Sequence, residues 1–480
     1  MPTLIAPFGN ADWLALAPVL VVAVAPLVVL LADLLVPRAL RRTSALALTA
    51  LALIVAGIVS LQGWGHPFSA FGGGFQAGGF TIVFQEVALL GALLSLPLAG
   101  RLGRDDQTGG GLALLLWSTC GALLMAGASN LLTIFLGLEL LSLALYCLCA
   151  LAAAPSAREA ALKYLILSST ASGFMLYGMA LLFGATGSAQ LAALATGSGS
   201  HVLLALGSGL FLVGFAFKLS LVPFHVWTPD VYEGAPLPIT AFMSVVTKAG
   251  ALAVLARFAY AALPQADAQA LLIPIWVIAA LSMIGGNVGA LAQTDMKRLL
   301  AYSGIAQVGY VVAALAGTTP LGLRYAMFYL VAYAFMNLGA FGIVGLLSRD
   351  HEEGSRLTAY AGLGHRRPFA AAAMTFFLLA LAGLPPTAGF TGKLLILASS
   401  VDAGYGWLAG VLIAGTAISI YVYAKIIYAM YARRTGTAPE AQAARRPEPL
   451  RWLGVGICAV AVFVMAFYPL APSDVLPQVK

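Results

Sequence analysis

Charge is scarce in this chain. Of its 480 residues only 9% are Asp, Glu, Lys or Arg, while 61% are hydrophobic; soluble domains carry roughly 25% charged residues. A soluble globular protein is therefore excluded. A chain so apolar must meet lipid, where only helices or closed barrels satisfy the backbone. Cysteine is also rare. The four present, Cys120, Cys147, Cys149 and Cys458, fall in apolar runs without the C-x-x-C spacing of an iron–sulfur or zinc site, and they read as small core residues. A G-x-G-x-x-G dinucleotide loop is missing. So is a basic N-terminal region with a cleavage site, so the first apolar segment reads as a span. No basic face carries aromatic side chains, so the net charge of +7 does not imply a nucleic-acid partner.

What is present is long, continuous apolar sequence without alternation, which selects helices over a barrel. The expected fold is an all-α polytopic membrane protein of about fourteen transmembrane helices. The spans fall at 13–35, 44–62, 80–99, 111–128, 130–151, 157–185, 201–228, 236–262, 270–291, 297–316, 322–347, 370–400, 405–432 and 450–469. With the N-terminus outside, seventeen Lys and Arg fall in cytoplasmic loops: Arg38, Arg41, Arg42, Arg101, Arg104, Arg158, Lys297, Arg298, Arg349, Arg356, Arg366, Arg367, Arg433, Arg434, Arg445, Arg446 and Arg451. Three, Arg257, Arg324 and Lys480, fall outside. This asymmetry predicts that both termini face the periplasm. Shifting the count by one helix would scramble it.

The remaining five basic residues, Lys163, Lys218, Lys248, Lys393 and Lys425, lie within predicted spans, and all are lysine. Arginine cannot lose its proton in a protein, whereas a desolvated lysine can. A charge at the bilayer centre costs about 2.5–3.5 kcal/mol, so five ionised, unpaired lysines would cost on the order of 10 kcal/mol or more. Snorkelling to an interface answers this for Lys425 and partly for Lys163. It does not for Lys218, Lys248 and Lys393, which read as ion-pathway residues. Glu139, in Gly-Leu-Glu-Leu-Leu-Ser, is the natural counter-charge; a static ion pair that fixes helix packing is the alternative. Glu86 and Asp33 belong to peripheral helices and read as structural.

Prolines interrupt two of these helices beside the lysines, in Lys218-Leu-Ser-Leu-Val-Pro223 and in Leu384-Pro385-Pro386-Thr-Ala-Gly-Phe-Thr-Gly-Lys393. Paired broken helices point to a transport site, with simple kinks as the alternative. His225, seven residues after Lys218, is expected on the same helix face, either as a proton relay or as a merely hydrogen-bonded side chain. Helices four to eight and nine to thirteen form two five-helix sets whose offset inverts topology. The expected divisions are 1–110 for helices one to three, 111–265 and 266–435 for two inverted repeats, and 436–480 for helix fourteen. Asn130-Leu-Leu aligns with Arg298-Leu-Leu, Gln307 falls opposite Glu139, and Lys218 matches Lys393.

The run KLSLVPFHVWTPDVYEGAP at Lys218–Pro236 resembles the signature of the antiporter-like subunits of bacterial NADH:quinone oxidoreductase (respiratory complex I) and of related Mrp antiporters. The resemblance continues through PLPITAFMSVVTKAG, DMKRLLAYSGIAQVGY, FYLVAYAFMNLGAFG and LAGLPPTAGFTGKLLIL. YAFMNLGAFG favours the N-type subunit. M-type subunits typically have glutamate where Lys393 stands, and L-type subunits have a long C-terminal extension. The resemblance implies that Glu139 pairs with Lys218, that Lys163 modulates the pair, that Lys248 bridges to the second half, that Lys393 exchanges protons with the outside, and that His225 connects the axis. Gln307 stands where family members often carry histidine, and the resemblance then leaves water in the place of a relay there. It also implies a bacterial inner-membrane subunit without a cofactor of its own, with electron transfer in other chains. Its expected neighbours are an M-type subunit on one side, small K/J/A-type subunits on the other, and the lipid bilayer. An Mrp-type cation/proton antiporter subunit is the alternative, although lysines repel sodium and carboxylates are few. A structural scaffold is the third reading.

Overall fold

A computed structural model describes residues 9–99, 108–152, 154–196, 200–262, 268–348, 355–432 and 449–469. Arg101, Arg104, Arg349, Arg433, Arg434, Arg445, Arg446, Lys480 and both termini lie outside the described residues. The helices are α1 (Asn10–Leu35), α2 (Arg38–Leu61), α3 (Gly79–Ser95), α4 (Thr108–Gly127), α5 (Leu131–Cys149), α6 (Pro155–Thr186), α7 (Leu191–Leu194), α8 (His201–Lys218) and α9 (Trp227–Gly234). They continue with α10 (Leu237–Arg257), α11 (Ala268–Leu291), α12 (Met296–Leu315), α13 (Pro320–Leu347), α14 (Leu363–Arg366), α15 (Pro368–Ala382), α16 (Ala388–Asp402), α17 (Gly406–Tyr431) and α18 (Pro449–Phe467). Among the described residues, twelve helices are long and apolar enough to cross a membrane, and α3 and α15 are shorter apolar helices.

Each apolar segment expected from the sequence coincides with a helix or a helix pair. Segment 201–228 contains α8 and the break after it, with α9 beginning at Trp227 and running past the expected end, and segment 370–400 divides into α15 and α16. A small departure from an all-α fold is the antiparallel hairpin β1 (Phe68–Ala70) with β2 (Phe75–Ala77). The glycines between its strands allow the left-handed backbone of the turn, as Gly73 shows with φ +89°.

The bundle is layered around α10. The apolar window of α10 is 100% buried, against 17% in α18, which presents most of its surface outward. Helices α12 and α13 complete the inner layer, and α1, α2, α6, α11 and α17 are exposed on their outer sides. Close approach relies on small residues. A Cβ on Gly121 of α4 would lie 2.4 Å from the Leu141 nitrogen and 2.5 Å from the Gly137 carbonyl of α5.

Three sequence expectations need correction. Cys147 is exposed rather than a core residue, because it lies on the outward face of α5; the other three cysteines are buried. Arg257 is not a free outer-loop charge. It is 2% exposed and donates to Gln76, to Thr81 Oγ1 at 2.8 Å and to the Ala126 carbonyl at 3.5 Å, stacked over Phe80. Lys297 is 8% exposed and donates to the Ala235 carbonyl at 3.0 Å, so it caps a helix end instead of standing in solvent.

The Gly121 contact yields a stability test. Gly121→Ala should force α4 and α5 apart at a cost of about 1–3 kcal/mol, read as a lowered Tm of the purified protein. An unchanged Tm would mean that the helices do not approach this closely.

Candidate functional site

The first broken helix positions Lys218. Helix α8 ends at Lys218 itself, residues 219–226 form turns, and α9 resumes at Trp227. A helix end leaves its last carbonyls unpaired, and the Trp227 indole satisfies one by donating to the Phe217 carbonyl at 2.8 Å. The placement corrects the expectation for His225. The helix stops before it, so the seven-residue spacing does not put it on the face of Lys218. His225 lies in the break, facing the ring of Tyr302 with centroids 6.2 Å apart, and its Nδ1 has no hydrogen-bond partner.

Lys218 is 2% exposed. Its ammonium donates to Ser142 Oγ and to Tyr164 Oη, each at 2.8 Å. Glu139, one turn before Ser142 on α5, instead accepts from Ser172 Oγ of α6 at 2.6 Å. Among the described residues, the carboxylate and the ammonium therefore make no direct ion pair. Ser168, Ser172 and Lys218 line one narrow, otherwise apolar cleft between α5, α6 and α8; Glu139 does not line this compartment and is joined to it through the Ser172 hydroxyl.

Lys163 does not reach this compartment. It lies on the outer face of α6 and pairs with Glu159 at 2.8 Å and Asp230 at 3.2 Å. Asp230 belongs to α9 and also accepts from Arg298 Nη1 at 2.6 Å, while the same guanidinium contacts Glu233 at 2.9 Å. Burial pushes the Asp230 carboxyl up, but Arg298 and Lys163 outweigh it and hold the group below the usual carboxylate range. With Lys297 on the Ala235 carbonyl, α9 is clamped between α6 and α12. The clamp bears on Lys218 through aromatic packing. The Trp227 ring stacks on Tyr164 at 4.7 Å and 15°, and the Tyr164 hydroxyl is the one Lys218 bonds.

Lys248, midway along α10, is 1% exposed, and its ammonium has no protein hydrogen-bond partner. Nor has the Tyr333 hydroxyl. Both lie against the bare face of Gly304, 3.5 Å and 2.9 Å from where a Cβ would stand. One helical turn beyond Tyr333, Asn337 donates to Ser244 Oγ of α10 at 2.6 Å.

The second broken helix positions Lys393. Helix α15 ends at Ala382, Gly383 takes φ +84°, and α16 begins at Ala388. Lys393 is 4% exposed and donates to the Leu381 and Ala382 carbonyls at 3.1 and 3.0 Å, over the face of Tyr310 at 4.7 Å. A cation at the C-terminus of a half-helix meets its unpaired carbonyls and the negative end of its dipole. A Cβ on Gly383 would lie 2.8 Å from the Lys393 Cδ, so glycine both turns the chain and admits the lysine.

Between Lys248 and Lys393 lies Gln307, 1% exposed. Its amide donates to the same Leu381 carbonyl at 2.9 Å and accepts from the Tyr329 hydroxyl. Ser303, one turn earlier, bonds the Tyr423 hydroxyl at 2.5 Å. Sequence reading missed Tyr164, Ser142, Ser172, Tyr333 and Tyr423. A signal for part of this existed: Tyr329, Tyr333 and Asn337 recur at four-residue spacing, a polar stripe on one face of an apolar helix. Lys425 is exposed near the end of α17 and stands apart from these groups.

A bundle of membrane-length helices with two broken helices, and buried lysines beside the breaks, defines an antiporter-like membrane subunit. Residues 128–419 match the family described as NADH:quinone oxidoreductase/Mrp antiporter, TM. Among similar proteins, NADH-quinone oxidoreductase subunit N of Trichlorobacter lovleyi is 41% identical, the match covering 88% of each chain. Subunit N 1 of Symbiobacterium thermophilum is 42% identical over 90% of each. A chain of respiratory complex I from Thermus thermophilus with bound aureothin superimposes with a TM-score of 0.80 at 36% identity, covering 96% of this chain and 99% of that one. A chain of the Mrp complex from a Dietzia species gives 0.83 at 20% identity, covering 98% and 97%, a likeness of fold alone. The chain belongs to the NADH:quinone oxidoreductase/Mrp antiporter family, on its subunit N branch.

The clamp on α9 is testable without reference to activity. Asp230→Asn removes the charge shared by Lys163 and Arg298, and amide exchange over 219–234 should rise roughly three- to tenfold. Asp230→Glu should restore most of the protection. Equal exchange in Asp230→Asn and the parent protein would show that these ion pairs do not hold the half-helix.

Proposed function

We propose that the chain is a proton-translocating membrane subunit of a NADH:quinone oxidoreductase. It moves protons from cytoplasm to periplasm along a buried axis of Glu139, Lys218, Lys248 and Lys393, driven by quinone reduction in other chains of the complex. The observation that carries this reading is that three lysines, each at most 4% exposed, have only neutral partners or none. A permanently charged buried ammonium needs a hydrogen-bonded counter-charge. Hydroxyls and carbonyls can instead receive an ammonium and leave its proton free to depart.

In this mechanism the carboxylate of Glu139, held by Ser172, sets the field at Lys218 without neutralising it by contact. Approach of the two charges favours the loaded lysine and separation favours release. Lys163 modulates the compartment indirectly, by fixing α9 through Asp230 and so fixing the Tyr164 hydroxyl. His225 lies in the break, where a titrating imidazole can join Lys218 to the axis. From Lys248 the polar groups continue through Tyr333, Ser303, Tyr423, Gln307 and Tyr329 to the Leu381 carbonyl and Lys393. Water is the natural carrier across the orphaned ammonium of Lys248. Gln307 cannot titrate, so it orients neighbours rather than carrying the proton itself.

The reading assigns two inverted five-helix units, α4–α10 and α11–α17, each containing one broken helix. It places both termini in the periplasm of a bacterial inner-membrane complex. An M-type subunit would adjoin on one side and small K/J/A-type subunits on the other, with redox centres confined to other chains. Relatives named as subunit N at 41–42% identity favour this over an Mrp antiporter subunit.

Lys218→Ala should allow the complex to assemble but lose most of its proton pumping, read by dye quenching in inverted vesicles during NADH oxidation. Tyr164→Phe, which keeps the Trp227 stack but removes a Lys218 partner, should lower pumping less. Full pumping by an assembled Lys218→Ala complex would sink the axis and leave a scaffold role.

A further inference from the structure

The buried Tyr360 hydroxyl and the membrane lysine Lys425 stand outside the axis and share a cavity. It holds about 120 Å³ between the ends of α11 and α12, the outer part of α17 and the turn at Leu357–Tyr360. Its apolar walls include Leu291, Leu299, Val422 and Ile426. Three polar side chains interrupt them, of which Gln293 is spent on its own helix, donating to the Gly289 carbonyl at 2.7 Å. The Lys425 side chain is exposed, with no hydrogen bond or ion pair among the described residues. The Tyr360 hydroxyl is fully buried and has no partner.

The cavity sits at the level of a membrane interface. Its walls come from the last turn of α11, the first turn of α12 and the loop before α14, which are chain ends on the side where the basic loops gather. Tyr421, Tyr428 and Tyr431 are exposed on α17 around Lys425, the placement of an interfacial aromatic belt. An occupant must therefore be apolar along most of its length, accept a hydrogen bond from a phenol, and carry negative charge toward an ammonium.

We propose that this cavity is a binding site for an anionic phospholipid. Its phosphate is held by the Lys425 ammonium and the Tyr360 hydroxyl, and an acyl chain lies along Val422, Ile426 and Leu299. A basic pocket between transmembrane helices at the interface is the setting in which anionic headgroups are recognised. A soluble anion would meet the same two polar groups but leave the apolar walls uncovered. The site depends on the membrane boundary at these helix ends and not on the pumping mechanism.

The test uses the intact complex in vesicles containing either phosphatidylglycerol or phosphatidylcholine with a photoactivatable acyl chain. Phosphatidylglycerol should label peptides spanning 422–429 and 357–360 about fivefold more than phosphatidylcholine. Lys425→Gln should abolish the preference, Lys425→Arg should keep it, and Tyr360→Phe should weaken it. Excess inorganic phosphate should not compete. Equal labelling by both lipids, an undiminished preference in Lys425→Gln, or displacement by inorganic phosphate would each overturn the proposal.

Discussion

The structure depends on how an ammonium is kept inside an apolar bundle without a carboxylate in contact. At Lys393 the answer is the C-terminus of a half-helix, whose unpaired carbonyls accept the proton donors. At Lys218, itself the last residue of a half-helix, two hydroxyls from neighbouring helices do the same. The breaks are therefore part of the charge chemistry. Where the helices continuous, the carbonyls near Lys393 would be spent within the helix and Lys218 would lack its dipole end.

The same constraint explains the inner layering. Partners for buried polar groups must come from other helices, so the helices that carry them are enclosed. Helix α10 supplies Lys248 and Ser244, α12 supplies Ser303 and Gln307, and α13 supplies Tyr329, Tyr333 and Asn337. The fixed ion pairs lie elsewhere. Lys163, Arg298, Asp230, Glu159 and Glu233 gather at the rim of the first broken helix, where partial exposure lowers the cost of full charge.

Much of this was legible in the sequence because hydrocarbon is an unforgiving solvent. A run of about twenty apolar residues has few alternatives to a helix, and a lysine within it stands out. Proline marked both breaks for the same reason. Partners were harder to read. Ser142 and Tyr164 are unremarkable in an apolar run until the helices are packed, and Glu139 proved to rest on Ser172 because side-chain reach depends on helix rotation. His225 was misplaced because periodicity was carried across a proline that ends the helix. Lys297 and Arg257 were counted as loop charge, yet both lie at helix ends and fold inward, since charge bias along a sequence does not say where a side chain points.

The complete enclosure of α10 has a mechanical consequence. No part of its apolar window touches the bilayer, so changes in lipid thickness or lateral pressure act first on outer helices such as α1, α2 and α18. They reach Lys248 only as altered packing. The outer ring thus serves as a cushion, and the innermost lysine is shielded from membranes of differing composition.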